Sequence, residues 1–214
     1  GKSPVIFSKT AEGTSFMAES VPEGVSAATS FKGLYGSNAT LDADGKISID
    51  FSAQDGSQEN LSAYDVMSAT SELNNGLLSF AFKHNCAILR LKCVNHTINQ
   101  VKKVKLIFSK AKVSEEFAGT GIIVGENGTV TLSITLKTPV EAGSAEKGKG
   151  SVGYRYVIVP AIKYLHEGAD IIPKDDLSSF LKGIEISGTK SVEAGKFYDV
   201  MCECGLETDE DGGL

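Results

Sequence analysis

The stretch from Leu77 to Val94, LLSFAFKHNCAILRLKCV, decides the fold class, because it alternates like β structure on both sides of a histidine. Leu78, Phe80 and Phe82 share one face. After Lys83-His84-Asn85, the side chains of Ala87, Leu89, Leu91 and Cys93 share a face while Arg90 and Lys92 point the other way. Successive side chains of an extended chain leave on opposite sides, so a period of two marks a strand with one dry and one wet face. The block reads as a strand pair with its break at His84.

The same pattern recurs outward in both directions. Ile47, Ile49 and Phe51 face inward, as do Val104, Leu106 and Phe108 between Lys103, Lys105 and Ser109. The clearest case is Val130, Leu132, Ile134 and Leu136, interleaved with Thr129, Thr131, Ser133 and Thr135. Tyr154 to Val159 (YRYVIV) is more continuously apolar, which suits a central strand, and Pro160 closes it where a ladder donor is no longer needed. The last strand runs from Phe197 to Cys204, entered through Glu193-Ala194-Gly195-Lys196. One short helix is expected at Lys174 to Lys182. Pro173 would occupy its first turn, Asp175 and Asp176 its positive end, Leu177, Phe180 and Leu181 one face, and Gly183 its stop.

Many short strands and one helix imply an all-β chain of β-sandwiches. The 214 residues are enough for two of them. The boundary is expected between Val113 and Gly121 (VSEEFAGTG), where alternation gives way to charge and glycine. That divides the chain into residues 1–115 and 116–214, the second part ending in an acidic, glycine-rich tail. Glu141 to Gly153 reads as an exposed loop within the second half. No repeat of fixed period is present.

The formal net charge of -6 excludes a nucleic-acid binder, which needs a basic face to neutralise phosphates. Arginine occurs only at Arg90 and Arg155. No apolar run approaches membrane-spanning length, so the segment reads as soluble. The absence of a signal peptide at the N-terminus says nothing of export, because a mature chain has lost it.

Cys86, Cys93, Cys202 and Cys204 lack the paired spacing of a zinc site. Cys93 shares its face with Leu89 and Leu91, and Cys202 follows Val200 at the same parity. Small buried apolar side chains are the preferred reading over a disulfide. Asp42-Ala-Asp44-Gly45 resembles part of a calcium loop, yet in that register the first ligand position is Thr40 and the bidentate position is Phe51. An Asp-Gly hairpin turn before the Ile47 strand accounts for the same residues.

His84, His96 and His166 have no triad or metal-ligand context, and His84 reads as a packed or hydrogen-bonding residue at a strand break. No nucleophile elbow or phosphate loop is present. Asn38, Asn60, Asn95 and Asn127 match the glycosylation sequon, a pattern short enough to arise by chance. The residues point away from an enzyme and call for no cofactor, no metal and no catalytic residue.

Tyr64-Asp65-Val66-Met67 with Ala69, then Leu78 to Asn95, then Val101-Lys-Lys-Val-Lys-Leu-Ile107 resemble the fimbrillin-like (Mfa-like) proteins of Bacteroidales. In that family a Tyr-Asp motif precedes a strand carrying Phe-x-His and an alternating partner. Tyr154 to Pro160 is similar to the family's tyrosine-rich strand, and Ala194-Gly195-Lys196-Phe197-Tyr198 to its last strand. The resemblance covers about the final two-thirds of the chain.

It implies two tandem transthyretin-like Greek-key β-sandwiches in a protein exported to the cell surface or outer membrane as a lipoprotein precursor, lipid-anchored before processing. It also implies assembly with other pilus subunits by strand donation, or attachment to host or bacterial surface ligands. The chain departs from the stalk-subunit scheme in two respects: no arginine precedes Arg90, and the tail after Cys204 is a poor groove-filling strand. The expected function is a non-enzymatic cell-surface adhesin or fimbrial component, such as a tip, anchor or accessory subunit.

The alternative is a glycan-binding surface lipoprotein of a polysaccharide-uptake system. A sugar platform needs exposed aromatics, and the chain has no tryptophan. Most Tyr and Phe fall on strand interiors in this reading, leaving Tyr35 and Tyr164 as the candidates. The ligand-binding residues are otherwise unknown from sequence.

Overall fold

A computed structural model describes residues 7–9, 11, 16–18, 28, 30–42, 44–72, 74–75, 78–108, 111–113, 117–124, 129–144, 150–164, 170–175, 184–185 and 191–204. These residues are all-β apart from one short 3-10 turn at Leu61–Ala63. No described helix is long and apolar enough to cross a membrane.

In N-terminal order, β1 (Phe7–Lys9) and β2 (Phe16–Ala18) form an antiparallel pair. β3 (Ser30–Tyr35) leads to β4 (Ala39–Leu41) and β5 (Ile47–Asp50). β6 (Met67–Glu72) pairs with β3 on one side and with the short β7 (Lys83–His84) on the other. β4 and β5 form the hairpin expected at the Asp-Gly turn, with Leu41 opposite Ile47. Asp42 Oδ1 accepts hydrogen bonds from the amides of Asp44 (2.9 Å) and Lys46 (2.8 Å), and Gly45 takes a φ of 77° that favours glycine.

β8 (Cys86–Asn95) is the centre of the molecule. It pairs antiparallel along its full length with β14 (Ser151–Pro160) and parallel with β19 (Phe197–Cys204). A second sheet contains β9 (Val101–Phe108), β12 (Ile122–Val124), β13 (Val130–Val140), β16 (Asp170–Asp175) and β17 (Ile184–Glu185), in the order β12-β13-β9-β16-β17. β10 (Ala111–Val113), β15 (Ile162–Tyr164) and β18 (Ser191–Val192) form a small third sheet, and β11 (Phe117–Thr120) runs parallel to β5.

The apolar faces of the two larger sheets join in one core. Leu89, Leu91, Cys93, Val157, Val159, Val200 and Cys202 meet Val104, Leu106, Phe108, Val130, Leu132 and Ile134 there, together with Ile47, Ile49, Phe51, Tyr64 and Val66 from the N-terminal part. The inward faces expected at residues 47–51, 87–93, 104–108 and 130–136 are all buried. Ladders run across the expected 115/116 boundary, since β8 pairs with β14 and β19, β9 with β13 and β16, and β5 with β11. The described residues therefore build one connected core from both sides of that position.

Three local expectations are corrected. Residues 78–82 form no strand, and β7 pairs with β6 rather than with β8. Phe80 and Phe82 instead pack against the bare backbone of Gly33, where an added Cβ would lie 3.1 and 3.0 Å from their rings. Alternation in that segment serves side-chain packing without a backbone ladder.

Next, the region expected to open a helix at Lys174 is strand. Pro173 lies opposite Leu106 and Lys174 opposite Lys105 in the β16–β9 ladder. Proline's fixed φ suits a helix's first turn and an extended strand alike, and among the described residues β17 pairs with Asp170 and Ile171 of β16, short of Pro173. Residues 176–182 of that expected helix lie outside the described residues.

Lastly, β14 is an outer strand of its sheet, and β8 is central. Its buried C-terminal half owes its apolar run to another cover. The Gln54 amide donates from Nε2 to the Ile158 carbonyl (2.9 Å) and accepts at Oε1 from the Ile158 amide (2.7 Å). The Tyr156 amide donates to the Gly56 carbonyl at 2.9 Å. A loop thus satisfies the strand edge that a neighbouring strand would otherwise occupy.

Candidate functional site

The registers of β14, β8 and β19 set the outer face of the central sheet row by row. Tyr156, Arg90 and Asp199 lie abreast, as do Tyr154, Lys92 and Met201, and Val152, Val94 and Glu203. Phe197 stands beside Ile88. Their neighbours in sequence, including Leu89, Leu91, Val157, Val200 and Cys202, are the buried wall of the core. Strand geometry alone forces this division, since alternate side chains must leave on opposite faces.

Arg90 organises the outer face. Its Nε and Nη2 donate to Asp199 Oδ1 and Oδ2 at 2.5 and 2.9 Å, a bidentate pair. Its Cζ lies 5.7 Å from the Tyr154 ring centroid and 5.6 Å from that of Phe197, within cation–π range of both. Asp199 holds the guanidinium more firmly protonated, with a further contribution from Tyr156. Tyr154 and Phe197 are 50% and 52% exposed, and Met201 and Val152 are also exposed. Large apolar side chains clustered on one rigid face around a fixed ion pair are an arrangement suited to recognition.

The chain matches no family model. It matches no curated protein. Among solved structures, it is similar to a "putative cell adhesion protein" from Bacteroides uniformis at 17% identity, with a TM-score of 0.43 over 94% of this chain and 80% of that one. It is also similar to a protein of the same description from Bacteroides ovatus at 18% identity, with a TM-score of 0.39 over 92% of this chain and 77% of that one. Both similarities are distant.

Residues singled out in the sequence fall in separate places. Tyr35 is exposed at the end of β3, in another sheet from Arg90. Tyr164 ends β15, with its side chain outside the description. His84 bonds through Nδ1 to Asp65 Oδ1 at 2.7 Å, and because a carboxylate accepts, Nδ1 carries the proton. This contact joins the Tyr64-Asp65-Val66-Met67 motif to the Phe-x-His segment and gives His84 the hydrogen-bonding role expected of it. Tyr64 and Val66 are buried beside it in the core.

His96 is buried, and neither of its ring nitrogens is hydrogen-bonded among the described residues; His166 and Asn127 lie outside them. Asn95 donates to the Asn99 and Glu141 carbonyls and accepts from the Thr97 amide and hydroxyl, and it is fully buried. Its amide is therefore closed to glycosylation in the folded chain. All four cysteines are buried, as expected, and Cys93 faces Cys202 across the parallel ladder. The thiol of Cys202 is pushed up by its hydrogen bond to Cys93 and by burial.

The sequence reading missed Tyr154 and Phe197 by placing most aromatics on strand interiors. A usable signal was present: Tyr154 and Tyr156 have the opposite parity to Val157 and Val159, and Phe197 and Asp199 the opposite parity to Val200 and Cys202. What parity could not supply was the pairing that brings both sets beside Arg90.

Proposed function

We propose that the chain is a non-enzymatic cell-surface adhesin or fimbrial component, acting as a tip, anchor or accessory subunit and exported as a lipoprotein precursor to the outer membrane. The observation that carries the adhesive reading is the exposed face around Arg90, where Tyr154, Phe197 and Met201 stand on a three-stranded sheet with a buried reverse side. A rigid platform presents such side chains without the entropy cost of ordering them on contact. The motifs shared with fimbrillin-like proteins support the surface location and the link to pili. Assembly with other subunits by strand donation rests on the same resemblance, and it would proceed by pairing of strand edges.

Beads coated with the purified chain test the adhesive role. They are expected to be retained on bacterial or epithelial cell layers above uncoated beads, with retention lost in the Tyr154→Ala/Phe197→Ala double variant. Retention no greater than that of uncoated beads refutes an adhesin. The glycan-binding alternative gains from the same exposed rings, which occupy positions other than the Tyr35 and Tyr164 expected from sequence.

A further inference from the structure

We propose that the outer face of β14, β8 and β19 is a binding site for a neutral oligosaccharide, with Tyr154 and Phe197 as its stacking surfaces and Arg90 with Asp199 as its polar centre. This names the ligand class of the face described above and rests on the adhesive reading.

Charge selects the ligand class first. The rows of the face carry Arg90 and Lys92 against Asp199 and Glu203, two cations and two carboxylates, so the face has no net charge. Arg90, the cation at its centre, is already held by both oxygens of Asp199. A sulfated, phosphorylated or sialylated ligand would meet the Asp199 and Glu203 carboxylates and compete with Asp199 for Arg90, whereas a neutral ligand meets no such repulsion and can use the pair intact.

Ring geometry narrows the class further. Tyr154 and Phe197 approach the same guanidinium from different outer strands, at 5.7 and 5.6 Å, so they flank a single polar centre. Each ring is half exposed and offers apolar surface to the C–H face of a pyranose. Asp199 is 63% exposed at its side chain and keeps acceptor capacity toward solvent beyond its two bonds to Arg90. Alternating apolar faces and hydroxyl edges are the chemistry of a sugar chain. An apolar peptide would bury these four charged residues against hydrocarbon, at a desolvation cost that hydroxyl groups do not impose.

The test titrates the purified chain with neutral mannan, galactan and β-glucan fragments, and with heparin and a sialylated oligosaccharide as charged probes, following binding by calorimetry. Saturable binding of at least one neutral fragment is expected, weakened roughly tenfold or more by Tyr154→Ala and by Phe197→Ala. Tyr154→Phe, which keeps the ring, should restore binding, and Tyr35→Ala should leave it unchanged. Unaltered circular dichroism and thermal midpoints confirm that the variants fold.

Binding of only the charged probes, neutral binding insensitive to both ring substitutions, or no binding overturns the proposal. So does a dimer in sedimentation that Phe197→Ala dissolves while no sugar binds. Bead retention that survives in the absence of sugar binding would leave the adhesin standing and remove the saccharide. Sugar binding without bead retention would do the reverse.

Discussion

The two faces of the sheet β14-β8-β19 are built from the same three strands and differ only in parity, yet they obey different physics. The inner face is a continuous apolar wall of Leu89, Leu91, Val157, Val200 and Cys202, sealed against the second sheet. The outer face mixes rings, thioether and charge around Arg90, with Tyr154, Phe197 and Met201 exposed and Arg90 itself part-covered between them. Substitutions inside should change stability with little to say about ligands. Substitutions outside should do the opposite, because exposed side chains away from special features contribute little to folding.

The most severe break in that contrast is Leu91→Ala. Leu91 is fully buried at the centre of the middle strand, and the cavity left behind should cost about 3 kcal/mol, read as a lower urea midpoint with an unchanged m-value. A loss below about 1 kcal/mol would mean the inner wall is looser than its burial indicates.

Gln54→Leu comes next. It removes the amide that satisfies both backbone groups of Ile158 and strands them in a buried site, for an expected loss of about 2 kcal/mol. The same urea titration checks it. An effect equal to that of an exposed position would show that the loop does not close this edge in solution.

The alkaline limb of stability sharpens the contrast from the inner side. Burial first, and then the charge of Asp65, push the Cys86 thiol up to about 12 from its ordinary value of 9.0. An unfolded chain can ionise this thiol above about pH 9 while the folded one cannot. The stabilisation is therefore intact below that pH and is lost as pH rises toward 12, at about 1.4 kcal/mol per pH unit for this one proton. Chemical denaturation across pH 8 to 11, on the order of that window, should show the decline. Cys86→Ala should flatten it, and the buried Cys202 shifts in the same direction.

Smallest in stability is the outer face. Tyr154→Ala and Phe197→Ala should each move the unfolding free energy by no more than about 0.5 kcal/mol while weakening ligand capture roughly tenfold or more. A large destabilisation would recast the rings as structural and remove the distinction between the faces.

At acid pH the chain has a separate local anchor in the loop that carries Gln54. Burial acts to raise the Asp55 carboxyl, but hydrogen bonds from the Ser57 hydroxyl and amide and the charge of Lys137 outweigh it and hold it below its usual range. Its contribution is present above the ordinary carboxylate pKa and is lost as pH falls through the lowered value. Asp55→Asn should reduce that acid sensitivity in a pH-dependent melting series.

How much of this was legible depended on whether local alternation coincided with a ladder. Residues 86–95, 101–108, 130–136 and 197–204 alternate and pair, so their buried faces followed from parity. Residues 78–82 alternate equally well but pack their phenylalanines on Gly33 without joining a ladder, so alternation there reports side-chain packing alone. Pro173 permitted either a helix start or a strand, and the β9 ladder decided for the strand. The same limit hid the candidate site, whose members lie on three strands far apart in the chain.

By itself, then, the sequence determined the all-β class, the inward parity of the main strands, the Asp42 turn and the burial of the cysteines, since each depends on residues adjacent in the chain. Only the tertiary structure decided that β8 lies between β14 and β19, that one core crosses residue 115, and that Tyr154, Arg90, Asp199 and Phe197 share a face. Those outcomes depend on which strand edges meet. A period of two states which side chains leave together from one strand and carries no information about the strand beside it.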